Sequence, residues 1–157
     1  MRQGNFLIQN MNEERDYSMQ RTLAIIKPDA IRNNYQGKII DHILNKGMKI
    51  VAAEFTQLTT EDAREFYAVH KERPFYNDLV EFMTSGPCMP MVLEHDNAVS
   101  YFREVIGATN PEEAAEGTVR KLYAESLQNN AVHGSDSPEN AQKEIAFFFS
   151  ARDIISQ

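Results

Sequence analysis

Apolar positions change their spacing several times along the chain, and each change marks an element. "RTLAIIK" (21–27) is a near-continuous apolar run that reads as a strand, stopped by Pro28. In "YQGKIIDHILNKG" the residues Ile39, Ile40, Ile43 and Leu44 share one face at helical spacing, and Gly47 closes that helix. "MKIVAAEFTQL" (48–58) is the second strand. Thr59 or Thr60, with the acids behind it, starts a helix that runs to about residue 70. "RPFYNDLVEFMTSGP" reads as a turn, a short helix and a stop, and "CMPMVLEH" as a third strand whose internal Pro90 predicts an edge or a bulge. Asp96 is the expected cap of a helix through 106. Residues 107–130 are mostly irregular, with a helical turn inside 119–127. "AVH" is a short strand, and Ser137-Pro138 open the last helix, "PENAQKEIAFFF", as N-cap and first turn.

The order is β-α-β-(αα)-β-α-β-α. It predicts an α+β fold: a ferredoxin-like four-stranded antiparallel sheet (βαββαβ) covered by helices, with an added helical pair and a long loop before the last strand. A doubly wound parallel sheet competes, because strands and helices alternate. Residues 1–19 are polar, mixed in charge and aperiodic, and read as a flexible leader to a domain spanning 20–157. Met19, directly before the first strand, is a candidate start.

Composition narrows the function. At 157 residues the chain suits one domain rather than two. No apolar run approaches the ~18 residues of a membrane span, and "FLI" is too short for a signal-peptide core. A soluble, cytoplasmic protein is expected. Cys88 is the only cysteine, which excludes an intrachain disulfide and a cysteine-based zinc site; within "PCMPMVL" it reads as a buried, inert thiol. The net charge of −7 repels nucleic acid, and no Lys/Arg stripe offsets it. A phosphate-bearing substrate therefore requires a few cations to converge locally. Neither G-x-x-x-x-G-K-[ST] nor G-x-G-x-x-G occurs, so no glycine cradle holds a nucleotide. H-E-x-x-H is also missing, and His42, His70 and His95 read as solvated or structural histidines.

His133 has different surroundings. It closes a strand, Gly134 permits close approach of a ligand, and Ser135-Asp136 fill a turn that enters a helix N-terminus, where free N–H groups favour anions. Glu144, two turns into that helix, is placed to fold back onto the ring. A carboxylate on one imidazole nitrogen fixes the tautomer and frees the other lone pair. By itself this pattern fits a nucleophile, a base and a packed structural histidine alike. Lys27, Arg73, Arg103 and Arg120 stand at element ends or in loops, where a site could gather them. Phe75 and Tyr67 offer a flat apolar wall, and the asparagines of "LQNNAVH" offer donors beside His133.

"TLAIIKPDA", "RPFY", "FMTSGP", "IGATNP", "GTVRK" and "NNAVHGSDSPENAQKEIAFFF", in that order and spacing, resemble the nucleoside diphosphate kinases over roughly residues 20–149. The resemblance implies transfer of a γ-phosphate from a nucleoside triphosphate to a nucleoside diphosphate. The route is a ping-pong mechanism through a phosphohistidine, with Mg²⁺ on the nucleotide and broad base specificity. It implies His133 as nucleophile, with Glu144 and Ser135 orienting its ring. Lys27, Tyr67, Arg103, Thr109, Arg120 and Asn130 would hold phosphates and sugar, Lys27 and Tyr67 also serving catalysis, and Phe75 would stack on the base. Arg73 would act indirectly at the cleft, and Asp136 would meet the metal through water. The expected partners are ATP and other nucleoside di- and triphosphates and further copies of the chain, as a tetramer or hexamer built from dimers, with neither nucleic acid nor membrane. Glu116, where the family often has proline, and Leu122, where it has Asp or a similar residue, depart from the pattern. A non-catalytic binding module and a phosphate relay fed by another kinase are the rival classes.

Overall fold

β1 (Gln20–Ile26) is the axis of the sheet. Along one side it pairs antiparallel with β3 (Met89–His95), from Gln20 opposite His95 to Ile26 opposite Met89. On its other side lies β4 (Val132–Gly134), also antiparallel. β2 (Lys49–Ala53) joins the outer side of β3, giving the order β2-β3-β1-β4. With every neighbour antiparallel, the sheet is the ferredoxin-like one and the doubly wound alternative is excluded. The computed structural model describes residues 19–157, so the expected leader, Met19 apart, lies outside the described residues.

The helices in chain order are α1 (Pro28–Arg32), α2 (Gln36–Asn45), α3 (Thr60–Phe66), α4 (Tyr76–Met83), α5 (Ala98–Ile106), α6 (Val119–Tyr123) and α7 (Pro138–Phe148). They cover both faces of the sheet, which explains why β1 shows no alternation of polar and apolar residues. Ala24 and Ile26 pack with Ile39 and Ile43 of α2 and Phe102 and Ile106 of α5. Leu23 and Ile25 point the other way, to Ala63 of α3, Met83 of α4 and Ile145 of α7. Ile25 is completely buried, so truncating it to alanine should cost about 2–5 kcal/mol.

Local chemistry explains most boundaries. Pro28 ends β1 and also opens α1, a helix that the strand-stop reading overlooked: its ring fits the first helical turn, where no N–H is needed. Thr59 caps α3 through a capping box with Asp62, and Ser137 caps α7 by accepting from the Asn140 N–H at 3.1 Å. The helix expected to be capped by Asp96 has Asn97 at its N-cap, without a side-chain cap bond. The second strand ends at Ala53 rather than near 58, and Thr56 makes only an isolated bridge to Cys88.

Pro90 corrects the edge prediction, because β3 is interior. The Pro90 carbonyl accepts from the Glu54 N–H at 3.1 Å, so its imide nitrogen faces the β2 side, just past the last ladder pair, Ala53–Met91. The missing donor falls where β2 has ended. The bulge of this strand pair lies elsewhere, between Ile50 and Ala52 of β2.

Candidate active site

Register places the imidazole. His133 sits opposite Ile25, so its ring emerges on the face covered by α3 and α7. There its Nε2–H donates to Glu144 Oε1 at 2.9 Å. The same oxygen accepts from Ser135 Oγ at 2.7 Å, and Ser135 Oγ accepts from the Leu23 N–H at 3.2 Å. Ser135 is fully buried and does not line the cleft, so it reaches the ring only through Glu144. Phe66 meets the imidazole edge-on, with centroids 5.7 Å apart and planes at 73°. With Nε2 engaged, Nδ1 has no hydrogen-bond partner among the described residues and is the nitrogen left to the cleft.

Gly134 lines the cleft, and it has a second reason to be glycine: a Cβ there would lie 2.9 Å from the Phe102 ring, so packing of α5 against β4 also requires it.

The cleft in front of His133 measures about 630 Å³. Lys27, Tyr67, Phe75, Arg103, Thr109, Arg120, Asn130, Asp136 and Glu144 line it with His133, although they come from six separate stretches of chain. Arg73 does not line it. Lys27 at the end of β1 is buried and donates from Nζ to Asn130 Oδ1 at 2.8 Å. Arg120 on α6 is buried too, donating from Nη1 to the Gly107 carbonyl and from Nη2 to the Val132 carbonyl, both at 2.9 Å. Gly107 has φ 87°, and a Cβ there would strike Thr118, so only glycine presents that carbonyl.

These acceptors are neutral. Among the described residues no carboxylate lies within 4.0 Å of either cation. Burial, and next the Arg120 charge, pushes Lys27 down to about 8 against the pull of Asp29. Burial and then Arg103 push Arg120 down to about 10. Two buried cations that act on each other, with no carboxylate within 4.0 Å among the described residues, are costly until an anion arrives. Tyr67 adds a buried hydroxyl with no partner, its phenol held well above the usual range by burial.

Arg103 and Thr109 are exposed in the cleft wall. Phe75 is half exposed and leans on His70, with centroids 5.4 Å apart; His70, read from the sequence as solvated or structural, also lines the cleft. Asp136 accepts from Asn140 Nδ2. Among the described residues no group of three His, Cys, Asp or Glu is placed to hold a metal. Cys88 is buried, as expected, and burial raises its thiol to about 12. The sequence reading passed over Phe66, Asn140, Lys143 and Phe147, all of which line the cleft. The last three share a helical stripe with Glu144, a periodicity that could have found them.

An α+β sandwich that anchors one imidazole by a carboxylate and lines the same cleft with buried cations is suited to a ligand that carries negative charge. The family profile for nucleoside diphosphate kinase matches residues 20–154. The nucleoside diphosphate kinase of Campylobacter curvus is 63% identical over 136 residues, 87% of this chain and 99% of that one. That of Persephonella marina is 59% identical over 138 residues, 88% of this chain and 99% of that one. Among solved structures, the Aquifex aeolicus nucleoside diphosphate kinase is similar with a TM-score of 0.86 at 46% identity, over 88% of this chain and 100% of that one. A halophilic nucleoside diphosphate kinase from Halobacterium salinarum, solved in complex with CDP, gives 0.85 at 37% identity, over 89% and 93%. The chain belongs to the nucleoside diphosphate kinase family.

Proposed function

We propose that residues 20–157 form a nucleoside diphosphate kinase working through a phosphohistidine at His133. In the first half-reaction the Nδ1 lone pair forms a bond to the γ-phosphorus. The bond from that phosphorus to the β,γ-bridging oxygen breaks, and the nucleoside diphosphate leaves with the electron pair. In the second, a terminal β-oxygen of an acceptor diphosphate attacks the phosphorus and the N–P electrons return to Nδ1. No proton is consumed. The Glu144 carboxylate, on the Nε2–H, opposes the positive charge that grows on the ring as Nδ1 reacts.

The observation that carries this reading is the engaged Nε2 and free Nδ1 of His133 in a cleft whose buried cations have no carboxylate within 4.0 Å among the described residues. Phosphoryl transfer needs positioning and charge stabilisation more than covalent chemistry. Lys27, Arg120 and Arg103 oppose the charge of the equatorial oxygens; Tyr67, Thr109 and Asn130 hold phosphate and sugar. Phe75 stacks on the base, and since every base has a π-face, specificity is broad. The donor set suits a Mg²⁺ carried by the nucleotide rather than by the protein. Asp136 would reach it through water, and the ion would neutralise phosphate charge. The CDP seen with the Halobacterium salinarum relative supports nucleotide occupancy, and a tetramer or hexamer built from dimers is the proposed assembly. Among the described residues no helix is long and apolar enough to cross a membrane.

Mixing the protein with ATP and GDP tests this. GTP should form with parallel double-reciprocal lines, and a phosphoenzyme should be isolable when GDP is withheld. Intersecting lines without a phosphoenzyme would contradict the reading.

A further inference from the structure

Ala131, two residues before the proposed nucleophile, has φ 71°, a left-handed conformation that a residue with a Cβ adopts at a cost. The Val132 N–H donates to the Asn130 carbonyl at 2.8 Å, so Ala131 is the centre of a three-residue turn of the strained kind. Such a turn persists only where its surroundings hold it. The Ala131 carbonyl accepts from the Lys27 N–H at 2.9 Å, and the Ala131 N–H donates to Asp29 Oδ2 at 3.0 Å. Asp29 is buried in the first turn of α1, and its other oxygen, Oδ1, has no partner.

The turn joins the two halves of the site. Asn130 on one side of it accepts from Lys27 Nζ, and Val132 on the other accepts from Arg120 just before His133. If the turn relaxes, the asparagine, the imidazole and both cations lose their common reference. We propose that Asp29 is a positioning residue for phosphoryl transfer: its carboxylate clamps the strained turn at Ala131 and so keeps His133 in line with the phosphate-binding cations. The role rests on the phosphohistidine reading above. It lies in the hydrogen bond to the Ala131 N–H: Asp29 does not line the cleft, and its charge reaches the site only through its pull on Lys27.

The test is single-turnover phosphorylation of the full chain by ATP, reading rate constant and amplitude separately, beside the Kd for ADP. With Asp29→Ala the rate constant should fall on the order of 30-fold while the Kd moves less than about threefold, since misplacement by an ångström costs reaction more than binding. Asp29→Asn keeps a carbonyl for the Ala131 N–H and should stay within about fivefold of the wild type. Should Asp29→Ala not fold, Asp29→Leu, similar in shape and without an acceptor, should show the same loss. Equal losses in Asp29→Asn and Asp29→Ala would overturn the proposal, as would a loss confined to amplitude, which marks unfolding rather than misplacement. Failure of the wild type itself to take up phosphate would instead overturn the phosphohistidine reading.

Discussion

The two walls of the cleft are built on opposite terms. On the imidazole wall the polar groups answer one another and leave only Nδ1 of His133 open: Leu23 N–H to Ser135, Ser135 to Glu144, His133 Nε2–H to Glu144. On the cationic wall the bonds stop short. Arg120 Nε has no partner, and Lys27 and Arg120 have only neutral acceptors. The satisfied wall orients a group that must stay put while its bonding changes. The unsatisfied wall keeps its interactions for a ligand that brings negative charge. Nucleophile and electrostatic clamp are thus separated by whether the fold has already met their needs.

Mutations should expose this difference. The largest effect is expected for His133→Ala, which removes the only proposed carrier. Phosphotransfer should fall by on the order of 10⁴-fold or more, with the thermal transition retained. Lys27→Met, on the opposite wall, should lower kcat/KM by on the order of 10²-fold, and the Kd for nucleotide by much less, because charge on the γ-group is met most strongly in transit. A parallel loss in both would assign Lys27 to ground-state binding alone. Glu144→Gln keeps the shape of the first wall but loses its charge. Single-turnover phosphorylation should slow by about 10–100-fold, and Ser135→Ala, one bond further back, by only about 3–10-fold. A reversed ranking would break the relay from Ser135 through Glu144 to the ring.

The smallest effect is a pH dependence. Burial lowers Lys27 to about 8, so the cation is fully present below that pH and is stripped as pH rises through it. A bound polyanion favours the protonated amine, so ADP affinity should weaken above pH about 8 in the wild type. Lys27→Met should flatten that slope; a slope unchanged in the variant would place the titration elsewhere.

The same contrast separates what was legible in the sequence from what was not. "NAVHGSDSPENAQKEI" already carries the satisfied wall, because His133, Ser135 and Glu144 are local to one strand–turn–helix unit whose cap, Ser137, is readable from composition. The cations could be named individually, but their convergence depends on register between β1 and β4 and on the backbone at Gly107, which no local pattern encodes. The strand–turn pattern explains Gly134 on its cleft side only; the demand made by Phe102, on a helix distant in sequence, has no local signature. Pro90 predicts an edge or a bulge because a one-strand rule cannot see that β2 stops at Ala53. Asp29 drew no attention at all: its partner is a residue 102 positions away whose positive φ leaves no signature in an alanine.

The central claim concerns one nitrogen atom. Phosphorylating ¹⁵N-histidine-labelled protein with ATP and recording phosphorus–nitrogen couplings by NMR tests it most directly. Phosphorus coupled to Nδ1 of His133, and discharged by added GDP, is the predicted result. Phosphate on Nε2, or on any other residue, would contradict it.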